Sequence, residues 1–102
     1  MKRHIPTFTV KLGASDLFET PVIEEELFYE RLLDFIQSNL KSNYKELVLC
    51  YLEDEEGNYS EATLEEEGYL KALNKCIEYF SEEEQYEKCT FIKKLIEKYE
   101  LQ

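Results

Sequence analysis

Hydrophobic positions recur along this chain with two different periods. From residue 63 onward the spacing is three and four: Tyr69, Leu73, Cys76, Ile77 and Phe80, then Tyr86, Cys89, Ile92, Ile96 and Tyr99. Phe91 and Leu95 widen the second stripe. This spacing places side chains on one face of an α-helix. Thr63 with Glu66, and Ser81 with Glu84, match the capping box, in which a hydroxyl takes the amide three residues on. The pattern predicts helices over 64–80 and 82–100, and a junction as short as Ser81 makes them antiparallel neighbours. Gly68 falls inside the first helix, where it is about 1 kcal/mol less favourable than alanine.

Upstream the period changes to two. Over 5–12, Phe8, Val10 and Leu12 alternate with Thr7, Thr9 and Lys11, the signature of a half-buried strand. Thr20-Pro21 then opens a helix over 21–41, with Thr20 as N-cap and Pro21 in the first turn. Its stripe is Ile23, Leu27, Phe28, Leu32, Phe35, Ile36 and Leu40. The run Leu47 to Leu52 is apolar on both faces, which suits a central strand covered on both sides. Glu53 to Asn58 forms a turn, with Gly57 supplying a positive φ, and the chain returns as a short strand. The hairpin strands span 46–53 and 58–62.

The order is β-α-β-β-α-α, an α+β fold within residues 1–102 read as one small domain. A strand, helix, strand crossover makes the first two strands parallel. The third pairs antiparallel with the second, giving a three-stranded mixed sheet with the second strand central.

Tyr86-Glu87-Lys88-Cys89-Thr90-Phe91-Ile92-Lys93-Lys94-Leu95-Ile96 follows a helix ending in Phe80. Residues 76–96 thereby resemble the UVR motif, a short helical hairpin of excision-repair proteins and of activators of bacterial protein-arginine kinases. Cys89-Thr90 stand where that family has two small residues, and Lys93-Lys94 where it has Arg-Asp. The resemblance implies protein–protein contact rather than catalysis.

Charge changes the picture most. There are 23 acids against 12 Lys plus Arg, a net charge of −11. Glu24-Glu25-Glu26, Glu65-Glu66-Glu67 and Glu82-Glu83-Glu84 all fall near predicted helix starts, where the dipole favours carboxylates by about 0.3–1 kcal/mol. The predicted topology adds a second consequence. It brings Glu24, Glu25, Glu26, Glu53, Asp54, Glu55, Glu56, Glu82, Glu83 and Glu84 to one end. Glu65 to Glu67 lie at the other, with Lys2, Arg3, Lys41, Lys45, Lys93, Lys94 and Lys98 toward it. Such a pole attracts a basic partner and repels nucleic acid and anionic membrane.

Catalytic chemistry finds little support. His4 is the single histidine and lies beside the terminus. No glycine-rich phosphate loop occurs, and the spacings of Cys50, Cys76 and Cys89 match no zinc site. These thiols read as reduced and buried in a cytoplasmic protein. Tyr69, Tyr86 and Tyr99 fit core stripes, whereas Tyr29, Tyr44, Tyr59 and Tyr79 do not, so some of the latter should be partly exposed. The expectation is a non-enzymatic protein–protein interaction module, such as an accessory protein of a bacterium or phage. It has no catalytic, cofactor or metal residues, and it takes a protein partner with a basic surface rather than nucleic acid or membrane. The alternatives are a nucleic-acid-mimicking inhibitor of a DNA- or RNA-handling enzyme, or a structural part of a viral or oligomeric assembly.

Overall fold

A computed structural model describes residues 5–10 and 22–100. Its elements are β1 (Thr7–Thr9), α1 (Glu25–Lys41), β2 (Val48–Glu53), β3 (Tyr59–Thr63), a 3-10 turn (Glu66–Gly68), α2 (Tyr69–Glu82) and α3 (Tyr86–Glu100). The fold is α+β, with the three strands in the order β1-β2-β3. β1 runs parallel to β2, with Thr7 opposite Tyr51 and Thr9 opposite Glu53. β3 is antiparallel to β2. The predicted positions Leu12, Thr20, Pro21, Lys2, Arg3 and His4 lie outside the described residues.

β2 is central, but among the described residues helices cover one face of the sheet rather than two. Val48 pairs with Thr63 and Cys50 with Ala62, so Leu49 is an extra residue in a β-bulge. The bulge turns Leu49 to the same side as Cys50, and both are fully buried. That accounts for the unbroken apolar run without a second covering layer. On the outer face Thr7, Tyr59 and Glu61 are exposed. Arg31 donates through Nε to the Leu49 carbonyl at 2.7 Å, supplying a partner for a group the bulge takes out of the ladder.

α1 begins at Glu25, not at residue 21. Val22 bridges Val10, and the Ile23 amide donates to the Thr9 carbonyl at 2.9 Å, so this segment lies extended along the β1 edge. A residue in such pairing lacks helical dihedrals. In consequence Ile23 and Leu27 do not join the buried stripe: they are 62% and 60% exposed. Phe28, Leu32, Phe35 and Ile36 do, and Phe8 meets Phe28 edge-on at 5.6 Å to tie sheet to helix. Asn39 completes the buried face. Its amide donates to the Glu46 carbonyl and the Tyr69 hydroxyl at 2.9 Å each, and its oxygen accepts the Glu46 amide.

Neither predicted capping box forms. Thr63 stays in β3 opposite Val48, and the Leu64 amide donates to the Leu47 carbonyl. α2 therefore starts at Tyr69, after the 3-10 turn. Gly68 sits at the junction rather than within a helix, and a Cβ there would lie 2.9 Å from Leu64 Cδ1. At the far end α2 runs through Ser81 to Glu82, so Ser81 caps nothing. Tyr69, Leu73, Cys76 and Phe80 are buried as the stripe requires, joined by Ala72 and Tyr79. On α3, Cys89 and Ile92 are buried, while Tyr86 is 60% exposed instead of core.

Candidate interaction surface

The acidic end is built around Thr9. Its amide and hydroxyl both donate to the Glu24 carboxylate, at 2.8 and 2.9 Å. Thr9 also lies opposite Glu53, whose carbonyl accepts the Val10 amide at 2.9 Å. The start of α1 and the end of β2 therefore meet at one end of the sheet. Burial by itself pushes the Glu24 carboxyl up, but the two Thr9 bonds outweigh it and hold the group below its ordinary value. This carboxylate supplies partners to an edge strand and so belongs to the fold.

The Glu53–Asn58 turn is likewise self-supporting. Asp54 Oδ1 accepts the amides of Glu56 and Asn58 at 2.9 and 3.0 Å, and Oδ2 accepts the Asn58 side-chain amide. Hydrogen bonds from Asn58 lead the causes that lower the Asp54 pKa. Gly57 takes φ 83°. The Tyr59 hydroxyl donates to the Glu53 carboxylate, which raises the tyrosine pKa. Glu55 and Glu56 extend from the tip, exposed.

Glu82 to Glu84 arrive at the same end by a different route. They close α2 instead of opening α3. The Gln85 amide donates to the Phe80 carbonyl at 2.8 Å and the Glu84 amide to the Ser81 carbonyl at 3.0 Å. This pair of bonds is the Schellman arrangement, whose left-handed position favours glycine. Here that position holds Glu84 at φ 59°. Glu82 and Glu83 meanwhile occupy the C-terminal turn of α2, where the helix dipole disfavours carboxylates.

The two helix ends meet across a tyrosine pair. Tyr29 of α1 stacks on Tyr79 of α2, with centroids 4.5 Å apart and planes 14° from parallel. Burial raises the Tyr79 pKa, and Glu83, Glu26, Glu25 and Glu30 raise it further. Tyr29 is raised by burial, then chiefly by Glu25, with Glu78 and Glu82 adding to it. Carboxylates of both helices thus act on a common pair of phenols. Glu26 accepts a hydrogen bond from Gln85 at 3.0 Å, and Glu30 pairs with Lys88 at 2.9 Å. Lys88 also lies 4.8 Å from the Phe80 ring centroid, which fixes α3 against α1 and α2.

Of the ten acids the sequence assigns to this end, Glu24, Glu26, Glu53 and Asp54 hold internal partners. Among the described residues, the carboxylates of Glu25, Glu55, Glu56, Glu82, Glu83 and Glu84 hold none. Exposed apolar groups accompany them: Ile23 and Leu27 at the start of α1, and Tyr86 at the start of α3. Sequence periodicity places all three in stripes. The one available signal against that reading is the β-branched Val22-Ile23 pair, which favours extended backbone.

Glu65 to Glu67 lie toward the opposite end, where Glu66 and Glu67 raise the pKa of Tyr99 after burial does. Cys50, Cys76 and Cys89 are free thiols and buried. Burial pushes Cys50 and Cys76 up to about 12, although Arg31 opposes the rise at Cys50. Both are therefore protonated and poor nucleophiles at neutral pH. Among the described residues no group of three or more His, Cys, Asp or Glu is placed to hold a metal ion, and no helix is long and apolar enough to cross a membrane. Comparison with protein-family models, with curated proteins and with solved structures finds no match.

Proposed function

We propose that this chain is a non-enzymatic protein–protein interaction module that presents its acidic end to a basic surface of a partner protein. One observation carries the reading. Glu82 and Glu83 stand at the negative end of the α2 dipole and Glu84 in a left-handed conformation, costs that the positive end of α3, beginning at Tyr86, offsets only in part. Residues that oppose local stability in a surface turn call for a reason outside the fold. Carboxylates without a partner among the described residues, beside exposed Ile23, Leu27 and Tyr86, offer both halves of a protein contact, long-range attraction and apolar anchors. Farther along the helices, Glu30 and Glu78 are each paired with a lysine. Exposed Ile23, Leu27 and Tyr86 among these carboxylates favour this reading over nucleic-acid mimicry, which needs rows of acids without apolar anchors.

Two matched triple variants test it. Changing Glu82, Glu83 and Glu84 to Lys, or Glu65, Glu66 and Glu67 to Lys, shifts net charge equally at opposite ends. Each is used as bait in affinity capture from the source cell, with mass spectrometry of what is retained. The first triple should lose the partner that the unaltered chain captures, and the second should keep it. Equal loss from both would reduce the effect to net charge, and no loss from either would remove the acidic end from the account.

A further inference from the structure

Among the described residues, the lower half of the α1–α3 seam is open. Near the acidic end the helices are pinned by Gln85 to Glu26 and Lys88 to Glu30. Toward their C-termini they leave a groove of about 360 Å³. Leu40, Phe91, Leu95 and Tyr99 form its floor, and Phe91 is 43% exposed. Lys41, Lys94 and Lys98 stand around it. Among the described residues none of these lysines has a carboxylate partner, although the chain carries 23 acids.

Part of this has an ordinary cause. Lys41 and Lys98 sit in the last turns of α1 and α3, where the dipole favours cations. That argument does not reach Lys94, which is nearer the middle of α3, and it does not explain an aromatic floor that no described residue covers. The volume falls within the range of small-molecule pockets, about 300–1,000 Å³, and such sites combine an apolar lining with a few polar groups. Three cations around an apolar floor match a molecule with a single anionic head and an apolar tail. A cationic amphiphile meets repulsion there, and a fully polar anion leaves the floor in water.

We infer that this groove binds a single-chain anionic amphiphile, with the carboxylate of a fatty acid among the lysines and its chain against Phe91, Leu95 and Tyr99. The site is distinct from the acidic end, and the inference does not depend on the function proposed above.

The chain has no tryptophan. Phe91→Trp therefore places a lone reporter in the groove at an already exposed position. Below the micellar concentration, decanoate should shift its emission to the blue with a saturable dependence. Affinity should rise by up to about fourfold for each methylene from hexanoate to decanoate. Decyltrimethylammonium should bind at least about tenfold more weakly. Adding Lys94→Glu and Lys98→Glu should weaken decanoate by about tenfold with the circular dichroism spectrum preserved, and the acid placed in the last turn of α3 should lower the melting temperature only slightly. Three results would overturn the inference: no saturable shift, equal binding of the cationic amphiphile, or indifference to the lysine reversals. A blue shift that grows with protein concentration alone would also overturn it, by placing a second copy of the chain in the groove.

Discussion

Two acidic turns lie at the same end of this molecule and follow opposite rules. In Glu53–Asn58 the left-handed position is a glycine, and Asp54 accepts hydrogen bonds from the turn it closes. In Glu82–Gln85 the left-handed position is Glu84, and none of the three carboxylates supports the backbone around it. Similar runs of acids therefore have different causes. Acids in the first turn are partly explained by the fold; those in the second oppose it. The second turn is where a demand from outside the fold is most visible.

The largest stability effect should come from breaking the first turn. Gly57→Ala meets no steric obstacle, since nothing lies within 4 Å of the added Cβ, so its penalty is purely one of backbone conformation. A loss of about 1–2 kcal/mol is expected in urea unfolding. A neutral result would mean that the hairpin tolerates another turn type and that the contrast is overstated.

Glu24 extends the comparison to the sheet. Glu24→Gln should cost about 1 kcal/mol at neutral pH, after allowing for its partial exposure. Its folded pKa is lowered, so its contribution is fully present above the unfolded carboxyl value. That contribution disappears as pH falls through the lowered folded value. Unfolding curves of the variant and the unaltered chain should therefore converge in acid. A gap that persists at low pH would assign the effect to packing instead of charge.

Smaller, and opposite in sign, is Glu84→Gly. Relief of the left-handed strain should stabilise the chain by about 0.5–1 kcal/mol, less than the full penalty because glycine is more flexible when unfolded. An unchanged or lowered midpoint would show that the Glu84 side chain supports the turn after all.

Much of the architecture was legible before any coordinates. The period-two run over Thr7 to Val10, the Asp54–Gly57 turn and the Phe28 to Ile36 stripe are local signals, and each became the element it predicted. What failed depended on distant partners. Thr63 resembles a helix cap until it pairs with Val48 across β3, and Ser81 does so until Phe80 and Gln85 close the helix one residue beyond it. Ile23 belongs to a helical stripe only if the helix starts before it, and its amide bonds to Thr9 instead. The acidic end was legible as a gathering of segments, because topology follows from element order. Which carboxylates are engaged was not: the Thr9 bonds to Glu24 join residues 15 apart in sequence. The lysine-lined groove was hidden for a related reason, since Phe91 and Leu95 fit a core stripe and only the tertiary packing of α3 beside α1 leaves them at a groove.

Acids at the end of α2 act against that helix, while those before its start favour it. Urea unfolding of two double variants, Glu82→Lys with Glu83→Lys and Glu66→Lys with Glu67→Lys, tests this at identical net charge. The first should be the more stable by about 1 kcal/mol. Equal midpoints, or the reverse order, would contradict it.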